Sequence, residues 1–298
     1  MNLSRWQRAW KRRVSIPVRS RVAPEVTAQV RGQQMRIDLR DYPIGQTLYL
    51  DGNYEPELQR LLQHLNLSGW VCLDVGANIG LHTLTMSELV GASGQVFAFE
   101  PETHNFQLLE QNLRLNGITN VVLEQCAVSD QEGVCQIGLS PVNYGDHRVS
   151  TAAPANWQTQ EVRMTTIDAS VGHLPEHAIR FIKIDVQGHE LQVVHGMKQT
   201  LERNPDVIMA IEVAPDLLAH AGTSATELMR LLGAWGFTGW ELLEHRILPV
   251  SPPWVYDLIH DRRWVDVVLS RNPGLLCRVM SNYCGVELPP ASQSDYTA

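Results

Sequence analysis

The sequence predicts an α/β fold: a mostly parallel, seven-stranded sheet with helices on both faces. Apolar runs of strand length (Val71–Val75, Gln95–Phe99, Ile179–Asp185, Asp206–Val213) alternate with helical patterns along the chain. The first run enters a glycine-containing turn, Gly76–Gly80, and a helical pattern starts at once through Leu81, Leu84, Thr85 and Leu89. Strand, glycine turn and helix in that order open a Rossmann-like unit.

The elements follow in order. Residues 36–41 alternate like an exposed strand, and the turn Asp51–Pro56 leads into a helix over Glu57–Leu67. The nucleotide unit then reads strand 70–75, helix 80–90, strand 95–99, helix 103–116, strand 120–124. Phe106, Leu109 and Leu113 share one face of the second helix, and Asn116-Gly117 caps it. Val134–Leu139 and Glu161–Ile167 alternate as the strands of a hairpin. Between them lies a polar loop, Asn143–Arg148, of the kind that is often functional inside a compact domain. A buried strand at 179–185, a helix at 189–203 and a strand at 206–213 come next. A helix at Thr223–Trp235 and closing strands at 239–243 and 265–269 complete the set. Residues 271–298 lose periodicity and read as a loose tail.

Composition narrows the function. The chain has 298 residues, net charge −8 and five cysteines with no C-x-x-C pair. Cys72 and Cys126 sit in apolar runs as buried thiols, which fits a reducing, cytoplasmic setting. No run is long enough to cross a bilayer, and no secretory signal is evident. Residues 1–40 hold ten Arg or Lys against Glu25 and Asp38, so the rest of the chain carries −16. An acidic body argues against a nucleic-acid partner. Residues 1–35 read as a basic extension, with Trp6, Trp10 and Val14 at helical spacing. It is solvated, or it contacts a membrane surface or protein partner.

The glycine turn selects a ligand. A dinucleotide site wants G-x-G-x-x-G, but here the middle position is Ala77 and Asp74 precedes the turn. A carboxylate repels pyrophosphate and attracts a cation. S-adenosylmethionine (SAM), with an ammonium, a sulfonium and no phosphate, suits that pattern better than NAD. Glu100 ends the second strand, where a carboxylate reaches ribose hydroxyls, and Pro101 stops the strand there.

Seven motifs now stand in order: Tyr54-Glu55-Pro56, Asp74–Gly80, Phe99-Glu100-Pro101, Ala127–Asp130, Thr166-Ile-Asp168, Lys183–Glu190 and Gly196-Met197. Together, over about residues 36–270, they resemble the FkbM family of SAM-dependent methyltransferases. The resemblance implies a class I methyltransferase fold, SAM as donor, and a hydroxyl acceptor on a sugar, polyketide or other small natural product. Gln187 departs from the commoner Glu of its motif, which removes one base or metal ligand.

Roles follow from position. Asp74 with Gly76, Ala77, Asn78 and Gly80 is expected to hold the methionine end, its carboxylate meeting N–H groups at the helix start. Glu100 is expected to hold the ribose, and Ser129 and Asp130 to border the adenine. Asp185, ending the strand beside the first, is placed near the transferred methyl. An alcohol must lose its proton as it attacks, so a base is wanted: Asp185, His147 and, more weakly, His189 are candidates. Tyr54, Asn143, Asp146 and Arg148 are candidate acceptor contacts. Asp185 and Glu212, on adjacent strand tips, are a candidate Mg2+ pair. The competing readings are an NAD-linked oxidoreductase and a non-catalytic SAM-binding module docked through its basic arm.

Overall fold

The computed structural model describes residues 5–149, 152–243, 246–250 and 264–285. The chain opens with a helical run: α1 (Arg5–Trp10), a π-helical turn (Lys11–Ser15) and α2 (Ile16–Val22). An antiparallel hairpin, β1 (Glu25–Val30) and β2 (Gln33–Asp38), and two helices, α3 (Ile44–Asp51) and α4 (Pro56–His64), precede the nucleotide unit. That unit is β3 (Val71–Val75), α5 (Leu81–Val90), β4 (Gln95–Phe99), α6 (Thr103–Leu115) and β5 (Val121–Glu124). A small sheet follows, built from β6 (Ala127–Val128), β7 (Gly133–Leu139), β8 (Arg148–Val149) and β9 (Gln158–Thr165), with α7 (Ile167–Val171) after it. The second half runs β10 (Ile179–Ile184), α8 (Glu190–His195), α9 (Lys198–Arg203), β11 (Ile208–Val213), α10 (Pro215–His220) and α11 (Ala225–Ala234). It ends with β12 (Thr238–Leu243), β13 (Arg246–Val250), β14 (Val265–Ser270) and α12 (Pro273–Cys284).

The main sheet has the order β13-β12-β14-β11-β10-β3-β4-β5. The seven strands expected from sequence are all in it, and β13 adds an eighth at the edge. Strands β11, β10, β3, β4 and β5 are parallel, whereas β14 runs antiparallel to both β11 and β12. The chain steps outward one way through β3, β4 and β5 and the other way through β10 and β11. The crevice between the tips of β3 and β10 is therefore the topological switch point, where open α/β sheets bind ligands.

Pleating divides each strand between two cores. Leu73, Val75, Ile182 and Ile184 pack under α8 and α11, while Cys72 and Phe181 pack against α4 and α12. Phe181 is fully buried, and its removal would cost about 3–5 kcal/mol. Gly76 sits at φ +81°, and a Cβ there would lie 1.8 Å from the Asp185 carbonyl oxygen. Only glycine lets the two strand tips approach this closely.

Three boundaries differ from the sequence reading. The expected limit of the basic extension, residue 35, falls inside β2. Val26, Val30, Met35 and Ile37 are buried against Leu84, Leu108 and Leu109, so the hairpin covers α5 and α6. Its apolar positions are too short a pattern to outweigh the surrounding arginines in sequence. The tail is not loose from residue 271: α12 buries Leu276, Met280 and Tyr283, and residues 286–298 lie outside the described residues. The helix expected over 189–203 breaks at Gly196, where a Cβ would meet the Ser129 carbonyl oxygen at 1.9 Å.

Candidate functional site

A cavity of about 520 Å³ opens at the switch point, a size typical of small-molecule sites. Its floor is the turn after β3. Gly76 and Ala77 donate their N–H groups to the Phe99 carbonyl, at 3.1 and 3.0 Å, which folds the turn back over β4. Asn78 takes the left-handed region at φ 50°, which asparagine tolerates well, and its Oδ1 accepts the Ile79 N–H. The first turn of α5 follows, with Leu81 and His82 in the cavity wall. First-turn N–H groups and the helix dipole suit an anion such as a carboxylate.

Glu100 lies in the wall at the tip of β4. Its carboxylate accepts the backbone N–H groups of Asn78, at 2.8 Å, and Glu102, at 2.9 Å. Burial nevertheless pushes its pKa up to about 7. Each oxygen retains a lone pair for a ligand hydroxyl.

Asp74 is placed differently from the expectation. It is fully buried beneath the turn and is not part of the cavity wall. Thr83 Oγ1 donates to its Oδ2 at 2.6 Å, and Lys183 Nζ stands 3.8 Å from its Oδ1. The register places Asp74 directly beside Lys183 on the neighbouring strand, so its charge is balanced internally instead of by a ligand. Gly80 is likewise a packing glycine, since a Cβ would strike Leu109 at 2.4 Å. The strand-tip logic located Asp74 but not the direction in which it faces.

Lys183 joins the turn to the crevice. Its Nζ donates to the Gly76 carbonyl at 3.0 Å and to Asp185 Oδ2 at 3.3 Å. Burial opposes its charge, but Asp185, Asp74 and Glu55 outweigh burial and raise its pKa further. Gln187, at φ 52°, donates from one amide nitrogen to Asp185 Oδ1 at 2.6 Å and to Glu212 Oε2 at 2.8 Å. Burial, then Asp185, Asp266 and Glu55, push Glu212 well above the usual carboxylate range.

That amide decides the metal expectation. Asp185 and Glu212 are brought together as predicted, but a hydrogen-bond donor sits between them where a cation would be. Among the described residues no group of three or more His, Cys, Asp or Glu is arranged to hold a metal ion. As arranged, the two carboxylates are bridged by the Gln187 amide.

A second hydrogen-bonded pair also lines the cavity. His82 Nε2 lies 2.7 Å from Glu55 Oε2. Burial would raise Glu55, but the His82 hydrogen bond and the charges of His82, Lys183 and Arg31 hold its pKa near about 2. Arg31, in the turn of the N-terminal hairpin, donates to Asn53 Oδ1 at 2.8 Å and to the carbonyl oxygens of Tyr54 and Glu55. Sequence reading gave Arg31 and His82 no role, since nothing in their spacing points at Tyr54-Glu55.

The loop Asn143–Arg148 roofs the cavity, as expected. The Tyr144 carbonyl accepts from Asn78 Nδ2 and Asn105 Nδ2, at 3.1 and 2.8 Å, and its N–H donates to Asp41 Oδ1 at 3.1 Å. Tyr54, Asn143, Asp146 and Arg148 all line the cavity. Arg148 and Asp146 are a bidentate pair at 2.6 and 2.9 Å, and Asn143 Oδ1 accepts the Gly145 N–H, so these three mainly shape the roof.

His147 is in the roof, but its Nδ1 accepts the Ser140 N–H at 3.0 Å. The neutral ring therefore carries its proton on Nε2 and presents a donor, which removes it as a base. Burial also lowers its pKa. His189 lines the cavity with Nε2 2.9 Å from Ser129 Oγ, which in turn donates to Asp130 Oδ1 at 3.1 Å. Ser129 and Asp130 themselves stay behind that wall. Cys126, Ala127 and Val128 supply its apolar surface in their place.

The profile of the Methyltransferase FkbM domain matches residues 74–238, more than half of the chain. The hexuronic acid methyltransferase AglP of Haloferax volcanii is 31% identical over 182 residues, covering 60% of this chain and 67% of that protein. Methyltransferase 1 of Beauveria bassiana is 24% identical over 143 residues, covering 42% of this chain and 57% of that protein. The crystal structure of an FkbM methyltransferase from Methylobacillus flagellatus superposes with a TM-score of 0.44 at 17% identity, covering 69% of this chain and 44% of that one. The chain belongs to the methyltransferase FkbM domain family of SAM-dependent enzymes.

Proposed function

We propose that the chain transfers a methyl group from SAM to a hydroxyl of a small, polyhydroxylated acceptor, with a sugar or sugar acid as the leading class. One observation carries this reading. A single cavity brings the Glu100 carboxylate, the glycine turn and the Asp185–Glu212 carboxylates under one polar roof. The name of the Haloferax volcanii relative, a hexuronic acid methyltransferase, supports the acceptor class.

Bound SAM would supply an electrophilic methyl group. The residues present fit it: Glu100 offers acceptors to the ribose hydroxyls, and the start of α5 offers N–H groups to a carboxylate. Methyl transfer is an in-line displacement, so a roof that fixes the acceptor contributes much of the rate. The acceptor's proton passes to the Asp185–Glu212 pair, which Lys183 and Gln187 hold in place. His147 Nε2–H serves as a donor to an acceptor oxygen.

The test is transfer of isotope from methyl-labelled SAM to a panel of hydroxylated sugars and sugar acids. Labelled ether product from one of them supports the reading. Label on nitrogen, on a carboxylate as ester, or on no acceptor contradicts it.

A further inference from the structure

The helical run Arg5–Val22 carries a feature the site does not use. Trp10, Val14, Val18 and Val22 are 59, 46, 58 and 80% exposed, and they recur every fourth residue. That spacing draws one apolar line along the helix. Arg12, Arg13, Arg19 and Arg21 are exposed beside the line, and none meets a carboxylate among the described residues. The inward contacts are separate: Ile16 is buried in the core, Lys11 Nζ donates to the Tyr49 carbonyl at 3.0 Å, and Arg8 pairs with Asp51 at 2.7 Å. The helix is thus fastened to α3 by one side and presents the other.

We propose that this helix docks on an anionic lipid surface. An interfacial helix shows an apolar line flanked by basic side chains, with Trp at headgroup depth. Charge complementarity selects the partner. Residues 5–22 hold seven Arg or Lys and no acid while the whole chain carries −8, so an anionic surface attracts the chain through this helix and repels the rest of it. Each arginine held near such a surface strengthens partitioning about fivefold. Docking would hold the cavity one helix layer from the lipid, because Ile44, the first residue of α3, lines it.

The experiment is sedimentation of the full chain with vesicles of phosphatidylcholine alone or mixed with phosphatidylglycerol. Two variants accompany it: Trp10→Ser with Val14→Ser and Val18→Ser, and Arg12, Arg13, Arg19 and Arg21 each changed to Gln. All these residues are exposed, so melting temperatures should be unchanged. The wild type should bind the anionic vesicles, ignore neutral ones, and lose at least tenfold in binding in 0.5 M salt, a condition set by about 3–4 Å screening. Each variant should bind at least tenfold more weakly. A wild type that does not sediment with anionic vesicles overturns the proposal, as does undiminished binding by either variant. Light scattering that shows a dimer, made monomeric by the serine changes, with no vesicle binding would assign the apolar line to a second copy of the chain instead.

Discussion

Lys183 and Asp74 face each other from neighbouring strands, both buried, with Nζ 3.8 Å from Oδ1. That Asp74 oxygen has no hydrogen-bond donor, so the lysine charge is what compensates it. Removing one partner of a buried pair leaves an uncompensated charge. Lys183→Met is expected to destabilise the fold by about 3–5 kcal/mol in urea denaturation. Asp74→Asn should disturb stability more than SAM binding, because Asp74 does not reach the cavity.

Glu100 links ligand affinity to pH. Burial raises its pKa to about 7 in the free chain. Ribose hydroxyls donate hydrogen bonds, so they favour the ionised carboxylate. SAM affinity should therefore rise as pH increases through about 7 and level off above it. Calorimetry from pH 6 to 8.5 checks this, and Glu100→Gln should bind more weakly with a flatter profile.

Arg31 lies in the segment that reads as a dispensable basic arm, yet it holds the backbone of Tyr54 and Glu55. Arg31→Ala is expected to cost about 1–3 kcal/mol of stability, from lost hydrogen bonds to a charged donor. KM for the acceptor should rise more than kcat falls, because Tyr54 lines the cavity without joining the proton transfer. Deleting residues 1–35 should lower the melting temperature sharply by stripping the hairpin from α5 and α6.

These outcomes mark where sequence ends as a guide. Strand tips are legible because apolar runs stop at chemistry-bearing residues, so Glu100, Asp185 and Glu212 were found at the crevice. The facing of a tip residue is less legible. Asp74 points into the sheet's own interior because its neighbour across β3 and β10 is Lys183, a register that only the paired strands establish. Protonation is less legible still. His147 looked like a base in sequence, and a single backbone N–H from Ser140 makes it a donor. Hairpin β1–β2 was read as an extension because its few buried apolar positions lie among Arg31, Arg36 and Arg40.

The carboxylate pair predicts a pH profile. Burial and the like charge of Asp185 raise Glu212, so proton acceptance strengthens as the pair deprotonates. The acid limb of kcat should lie above the ordinary carboxylate range, and Glu212→Gln should abolish that raised limb by removing the group itself. Asp185→Asn should cut kcat by about 10²-fold or more. His147→Asn should raise KM and leave the acid limb in place. EDTA should leave turnover unchanged, whereas loss of turnover that Mg2+ restores would show that the Gln187 amide yields its place to a cation.

The central claim is that this cavity holds SAM with Glu100 at the ribose. Titration calorimetry of SAM into the wild type and Glu100→Ala tests it most directly, with NAD as the competing ligand. Saturable SAM binding by the wild type, at least tenfold weaker in Glu100→Ala and matched by no heat from NAD, is the predicted result. Binding of NAD in preference to SAM, or equal SAM affinity in the wild type and Glu100→Ala, would contradict it.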